Sequence, residues 1–190
     1  VESKKRILFL GYFLENSSPA TNLNANNQLF EYVIEAAKFF ANDLIFIRMK
    51  VLDNKTFDLA LSRLSNIHNV YISTDYDTPA LSYGLCRDAD AIVCPQTSLA
   101  EEALAYGKKV VLLDNLYSVK GLCSSIYPFH FYFMIAQGSE DIICLLDRIF
   151  CLDKELHDNY RQIRVLLSSD QSFSCHSDIS RVVETILLDL

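Results

Sequence analysis

Thr97 and Ser98 bring two hydroxyls to the point where the chain turns from an apolar run into a helix, and Glu102 follows about one helical turn later. Pro95 and Gln96 break the run 91–94, so the amides that follow open a helix and have no intrahelical acceptors. Unpaired amides, two hydroxyls and the positive end of a helix dipole converging on one point suit an anion, with phosphate or diphosphate the physical match. The plainer reading is that Thr97 or Ser98 only caps the helix. Glu102 can accept hydrogen bonds from vicinal hydroxyls such as those of a ribose, or it can be a solvated helix carboxylate. Glu101 reads as solvated, or as the reciprocal partner of Ser98 in a capping box.

The elements around these residues form a βαβ unit. The run 91–94 reads as a strand, Leu99, Ala103 and Leu104 recur at helical spacing, and Gly107 falls where a left-handed helix end belongs. The run 110–113 then suits a parallel strand covered on both faces. Upstream, 6–12 is a first buried strand closed by Gly11, which can let a ligand approach, and 13–27 is a long Asn- and Ser-rich loop, a lid or a plain surface insertion. Residues 28–41 place Leu29, Tyr32, Val33, Ala36, Ala37 and Phe40 on one helical face. Strands at 44–49 and 70–72, helices at 55–65 and 80–87, a dense aromatic run over 129–136 as the last strand and helices at 138–151, 153–167 and 177–190 complete the alternation.

Strands alternating with helices in this way predict a single α/β domain over 1–190, a Rossmann-like three-layer α/β/α fold with an open, mostly parallel sheet. Ligands of such sheets bind at the carboxyl ends of the strands where strand order reverses. Three stretches are thereby expected at the site: Gly11 onward, 95–98, and Asp114 onward.

Composition narrows the chemistry. A chain of 190 residues that is 51% hydrophobic can bury a proper core, and a net charge of −7 argues against nucleic acid as a partner. Its six cysteines show no CxxC pair and no zinc spacing, so buried free thiols and a reducing, cytoplasmic compartment are expected. No apolar run reaches the roughly 18–20 residues of a membrane span. Neither GxGxxG nor GxxxxGK[ST] occurs, no cofactor or metal is expected, and Ser98 lacks the flanking glycines of a nucleophile elbow. The four histidines are scattered and read as surface or satisfied core residues. No residue stands out as a catalytic base.

Asp90-Ala91-Ile92-Val93, then Thr97-Ser98, then the run 102–110 with its Glu-Ala-Leu and Gly-Lys-Lys-Val resembles a stretch of the C-terminal, nucleotide-sugar-binding domain of GT-B glycosyltransferases. The nearest likeness is to transferases that build bacterial capsule and surface polysaccharides, and the pattern is also similar to that of nucleotide-sugar 2-epimerases and polyol-phosphate polymerases. The resemblance implies that Thr97 and Ser98 face donor phosphates, with Gln96 in the same turn, that Glu102 faces the ribose or a nearby hydroxyl, and that Gly11 lines an interdomain cleft. It further implies a nucleotide-sugar donor, a glycan acceptor, and an N-terminal domain supplying the acceptor site. A peripheral place at the inner membrane fits that role. Arg48-Met49-Lys50-Val51 stands where these enzymes often carry a His-Pro element, and Pro95-Gln96 replaces their glycine-rich turn. The alternatives are a non-catalytic nucleotide- or anion-binding α/β module and an epimerase-like domain.

Overall fold

The computed structural model describes residues 3–11, 19–49, 54–73, 79–95, 97–114 and 133–169. Their elements alternate as β1 (Arg6–Leu10), α1 (Pro19–Phe39), β2 (Leu44–Arg48), α2 (Asn54–Leu64), β3 (Val70–Ile72), α3 (Pro79–Asp88), β4 (Ala91–Cys94), α4 (Ser98–Ala105), β5 (Lys109–Leu113) and β6 (Ile135–Ala136). Two helices close the described chain, α5 (Ser139–Phe150) and α6 (Lys154–Ser169). The six strands pair in the order β3-β2-β1-β4-β5-β6, and every pairing is parallel. This is the open, Rossmann-like α/β sheet that the alternation predicts.

β1 is central because it is apolar after Arg6: Ile7, Leu8, Phe9 and Leu10 are all buried, which only a strand covered on both faces requires. Ile7 pairs with Ile45 of β2 on one side and Ala91 of β4 on the other. Two aspartates fix this register at the amino edge. Asp43 accepts the Lys5 amide and Asp90 the Arg6 amide, each at 2.8 Å. On one layer α1 packs against α2 and α5; on the other α4 packs against α6.

The helices largely end where the side chains predict. All six positions expected on one helical face, Leu29 to Ala37 within α1 and Phe40 just past its end, are buried. Asn69, itself buried, donates to the Ala37 and Phe40 carbonyls at the end of this helix. At the end of α4, Gly107 adopts φ +80°, the Lys108 amide reaches the Ala103 carbonyl and the Gly107 amide that of Leu104, both at 2.9 Å. These paired bonds are a Schellman end, and they explain the glycine.

The same motif closes α5 with a leucine. Leu152 sits at φ 57°, 73% exposed, while the Asp153 amide bonds the Arg148 carbonyl. A side chain in this left-handed conformation costs roughly 1–2 kcal/mol, and little packing offsets it here. Leu152→Gly is therefore expected to raise stability by about 1 kcal/mol, read as a higher urea midpoint at unchanged slope. An unchanged or lower midpoint would show that the leucine side chain contributes more than the strain removes.

Three expectations change. Residues 19–27 are helical, not part of a lid loop, because Pro19 can open a helix and because Ala25 and Asn26 are buried while Asn27 and Glu31 bind Arg63 of α2. Packing overrides the poor helix propensity of the Asn-rich stretch. The last strand is the two-residue β6 rather than all of 129–136; 129–132 lie outside the described residues, as do 12–18 of the proposed lid and the helix expected at 177–190. The described cysteines are mixed: Cys86 and Cys94 are buried free thiols, whereas Cys144 on α5 and Cys151 just past its end are exposed, and Cys123 and Cys175 lie outside the described residues. Among the described residues no helix is long and apolar enough to cross a membrane.

Candidate functional site

Strand order reverses between β1 and β4: the chain leaves β1 towards β2 and leaves β4 towards β5, in opposite directions across the sheet. A crevice opens above such a switch point, at the carboxyl ends of the two strands. Gly11 follows β1 there, Pro95 and Thr97 follow β4, and Asp114 follows β5 at the same edge. The described residues that open the three stretches expected at the site thus share one edge of the sheet. Gln96 lies outside the described residues.

Thr97 occupies the N-cap of α4 with extended backbone (φ −159°, ψ 147°), and its side chain makes no cap hydrogen bond. The capping role expected of its hydroxyl is therefore not filled, although the carbonyl does accept from the Ala100 amide at 3.0 Å. Ser98 is exposed in the first turn. The amino end of α4 accordingly presents its leading amides, the helix dipole and two hydroxyls, and the Thr97 side chain does not cap them.

Gly11 has a reason in packing. Its amide donates to the Arg48 carbonyl at 2.6 Å, and a Cβ there would lie 2.6 Å from Met49 Cγ and 3.0 Å from Met49 Cα. The glycine lets the carboxyl end of β1 close against β2, whatever else approaches it.

Glu102 turns towards α3. It lines a pocket of about 100 Å³ between α3 and α4, together with Tyr83, Cys86, Leu99, Ala103 and Tyr106, with Arg87 and Lys108 at its edge. Its Oε2 is buried and has no hydrogen-bond partner. The solvated-carboxylate reading is thus excluded for that oxygen. The Tyr83 phenol is pushed up to about 12, first by burial and then by the neighbouring Glu102 carboxylate. Cys86 is likewise pushed up to about 12, mainly by burial, with Lys108 opposing and Glu102 adding to the shift. Both are protonated at neutral pH, so neither is a nucleophile or base there.

Lys108, from the Gly-Lys-Lys-Val stretch, donates its ammonium to the Arg87 and Ala89 carbonyls and so closes the carboxyl end of α3. That lysine is structural. Two buried polar residues at the carboxyl edge carry no role in the sequence reading beyond their place there. Arg48 ends the apolar β2 and donates from Nε to Ser82 of α3 at 3.1 Å. Asp114 is fully buried after β5, with Gln137 Nε2 3.5 Å from its Oδ2. A charge closing an otherwise apolar strand is the signal that marks both. Tyr83 has no comparable local signal, since the carboxylate that shares its pocket lies on the next helix. Of the histidines, His68 and His157 bond the Ala41 and Ile149 carbonyls through Nε2, as satisfied surface residues do; the other two lie outside the described residues.

No family model matches the chain, and no curated protein matches it. Solved structures do. The C-terminal domain of a glycosyl transferase group 1 family protein (LpcC) from Francisella tularensis superposes with a TM-score of 0.60 at 13% identity, covering 88% of this chain and 86% of that one. The wall teichoic acid polymerase TagF gives 0.58 at 13% identity over 98% of this chain and 43% of its own. The UDP-GlcNAc 2-epimerase of Neisseria meningitidis, solved bound to UDP-GlcNAc, gives 0.55 at 16% identity over 84% of this chain and 39% of its own. The chain thus spans about two fifths of the epimerase and of the polymerase, but most of the isolated glycosyltransferase domain. At these identities the likeness is one of fold.

Proposed function

We propose that this chain is the nucleotide-sugar donor-binding domain of a glycosyltransferase that passes a sugar to a surface polysaccharide or other glycan acceptor. The observation that carries the reading is a juxtaposition in α4. Its amino end lies beside the switch point with the Thr97 hydroxyl free of any cap bond, and one turn on, Glu102 lines the pocket between α3 and α4. The amides, Thr97 and Ser98 would take the donor phosphates, Gln96 lies in the same turn, and Glu102 would accept from the ribose. Gly11 would line the cleft towards a second, N-terminal domain carrying the acceptor. In transfer, the α4 dipole would stabilise the departing diphosphate without reorganisation. The likeness of fold to a glycosyltransferase C-terminal domain supports the same reading.

An epimerase-like domain is the second reading, favoured by the likeness to the UDP-GlcNAc 2-epimerase. Either way the first event is nucleotide binding. UDP, CDP or GDP at a hundred times its dissociation constant is expected to add about 2.7 kcal/mol, or roughly 5–10 °C in unfolding midpoint for a chain of this size. Ser98→Ala and Glu102→Ala are expected to remove most of the shift. No shift with any of the three would overturn both readings, and a shift unchanged in both variants would overturn the contacts.

A further inference from the structure

α3 carries no charge before Arg87: it runs Pro79-Ala80-Leu81-Ser82-Tyr83-Gly84-Leu85-Cys86. A helix on the outside of an α/β sheet turns charged residues to water, and one without a charged face is a helix that something covers. Among the described residues α3 rests on β1, and Ala80 to Leu85 all stay partly exposed. The uncharged surface continues across the pocket of about 100 Å³ to Leu99, Ala103 and Tyr106, the last 38% exposed.

α3 and α4 both run from the carboxyl edge of the sheet to its amino edge, so Cys86, Tyr106 and Lys108 mark the amino-edge end of this pocket. α6 passes that end. Its Arg164 guanidinium lies 3.2 Å from where a Cβ on Gly107 would stand, and Gly107 sits between Tyr106 and Lys108. α6 ends at Ser169, and residues 170–190 follow it, outside the described residues. The sequence 177–190, expected to be helical, places Ile179, Val182, Val183, Ile186 and Leu190 at i, i+3, i+4, i+7 and i+11, an apolar stripe. At helical spacing Asp178 and Asp189 fall beside that stripe, opposite in sign to Arg87 and Lys108 at the pocket edge. The intervening residues 170–176 reach up to roughly 25 Å when extended, more than the about 10–12 Å width of one helix.

We propose that residues 177–190 cover this face, as a helix whose stripe lies on α3 and fills the amino-edge end of the pocket. Removing apolar surface from water on both sides drives the docking. That end of the pocket is the one away from Thr97, so the docking is independent of the donor site under Proposed function.

Hydrogen exchange of the full chain, resolved by peptide, tests this. In the wild-type protein 177–190 is expected to be protected along with 79–88. Ile186→Glu puts a charge in the stripe and is expected to speed exchange in both stretches by about tenfold or more. Tyr106→Glu, at the pocket rim, is expected to do the same, while Leu188→Glu, off the stripe, leaves both unchanged. Exchange in β1 and β4 shows whether the Tyr106 variant keeps its fold, and Ile186→Glu, outside the described elements, gives the answer where it does not. An unprotected 177–190 in the wild-type protein overturns the proposal. So does release of 177–190 by Ile186→Glu with 79–88 unchanged, or equal release by Leu188→Glu, since either puts the stripe on another face. Protection that disappears on dilution, with a matching fall in sedimentation coefficient, makes a second copy the occupant and overturns it as well.

Discussion

Gly11→Ala is expected to lower stability by about 2–3 kcal/mol, the upper part of the range for overpacking a closed site. The added methyl would meet Met49 at three atoms, and one of them is backbone: Cγ at 2.6 Å, Cα at 3.0 Å and Cβ at 3.1 Å. A side chain can rotate away, whereas Cα cannot move without displacing the end of β2. That end is tied to Gly11 by the 2.6 Å bond from its amide to the Arg48 carbonyl. Equilibrium unfolding in urea checks the loss. Met49→Ala in the same background is expected to recover only part of it, because the clash with the Met49 backbone persists when its side chain is cut back. Gly84→Ala is the contrast: it lies in α3 with nothing within 4 Å of the added Cβ, and it is expected to stabilise by about 0.5–1 kcal/mol. A neutral Gly11→Ala would show that the β1–β2 junction yields more readily than its geometry implies, and would leave ligand approach as the reason for the glycine.

This double meaning of Gly11 illustrates what the sequence makes legible. A glycine closing an apolar strand marks a close approach, but nothing local says whether the approaching atoms belong to a ligand or to Met49. Strand and helix positions are readable because periodicity is local: the unbroken Ile7–Leu10 run demands burial on both faces, and the alternation of elements demands parallel pairing. The start of α1 is not readable, since the Asn-rich stretch before Gln28 favours turns, and its helix is stabilised by contacts such as Arg63 to Glu31 that lie 32 residues apart. The Thr97 cap shows the reverse limit. Position and residue type both predict a side-chain cap, yet the Thr97 hydroxyl makes no cap bond.

The candidate site divides along the same line. Its placement follows from topology, because the switch point depends only on the order in which the strands are laid down. Its electrostatics do not, because Glu102 acquires its character from α3. From the sequence a glutamate in a short amphipathic helix is as easily solvated as buried. In the structure, Ala100, Ala103 and Leu104 turn to the sheet, which rotates Glu102 to the flank where Tyr83 and Cys86 arrive. The α3–α4 junction is therefore part of the site, and Lys108 secures that junction by closing α3. A stretch that resembles a nucleotide-sugar signature thus mixes two duties: Glu102 faces a pocket, and Lys108 holds the helix that forms its other wall.

Tyr160→Ala is expected to cost about 3–5 kcal/mol, as truncating a large buried ring does, and Tyr160→Phe about 1–3 kcal/mol, because it leaves a buried carbonyl unpaired. Tyr160 is the anchor of α6. Its ring packs edge-on against Phe133 at 5.0 Å with the Lys109 ammonium 4.8 Å from its centroid, and its hydroxyl donates to the Val110 carbonyl of β5 at 2.5 Å. Burial, first, and the nearby Cys94 raise its pKa well above that of an ordinary phenol. The sign of the pH dependence follows. Above about pH 10 an unfolded tyrosine loses its proton while the folded one keeps it, so the native state binds more protons and stability falls as pH rises. Tyr160→Phe is expected to be less stable than the wild-type protein at pH 7 and to lose less on going to about pH 11. Parallel stability curves for the two proteins would mean that other groups dominate the alkaline loss. Since α6 packs on α4, the alanine variant carries a further consequence: nucleotide-induced stabilisation is expected to shrink along with global stability, whereas the phenylalanine variant retains it.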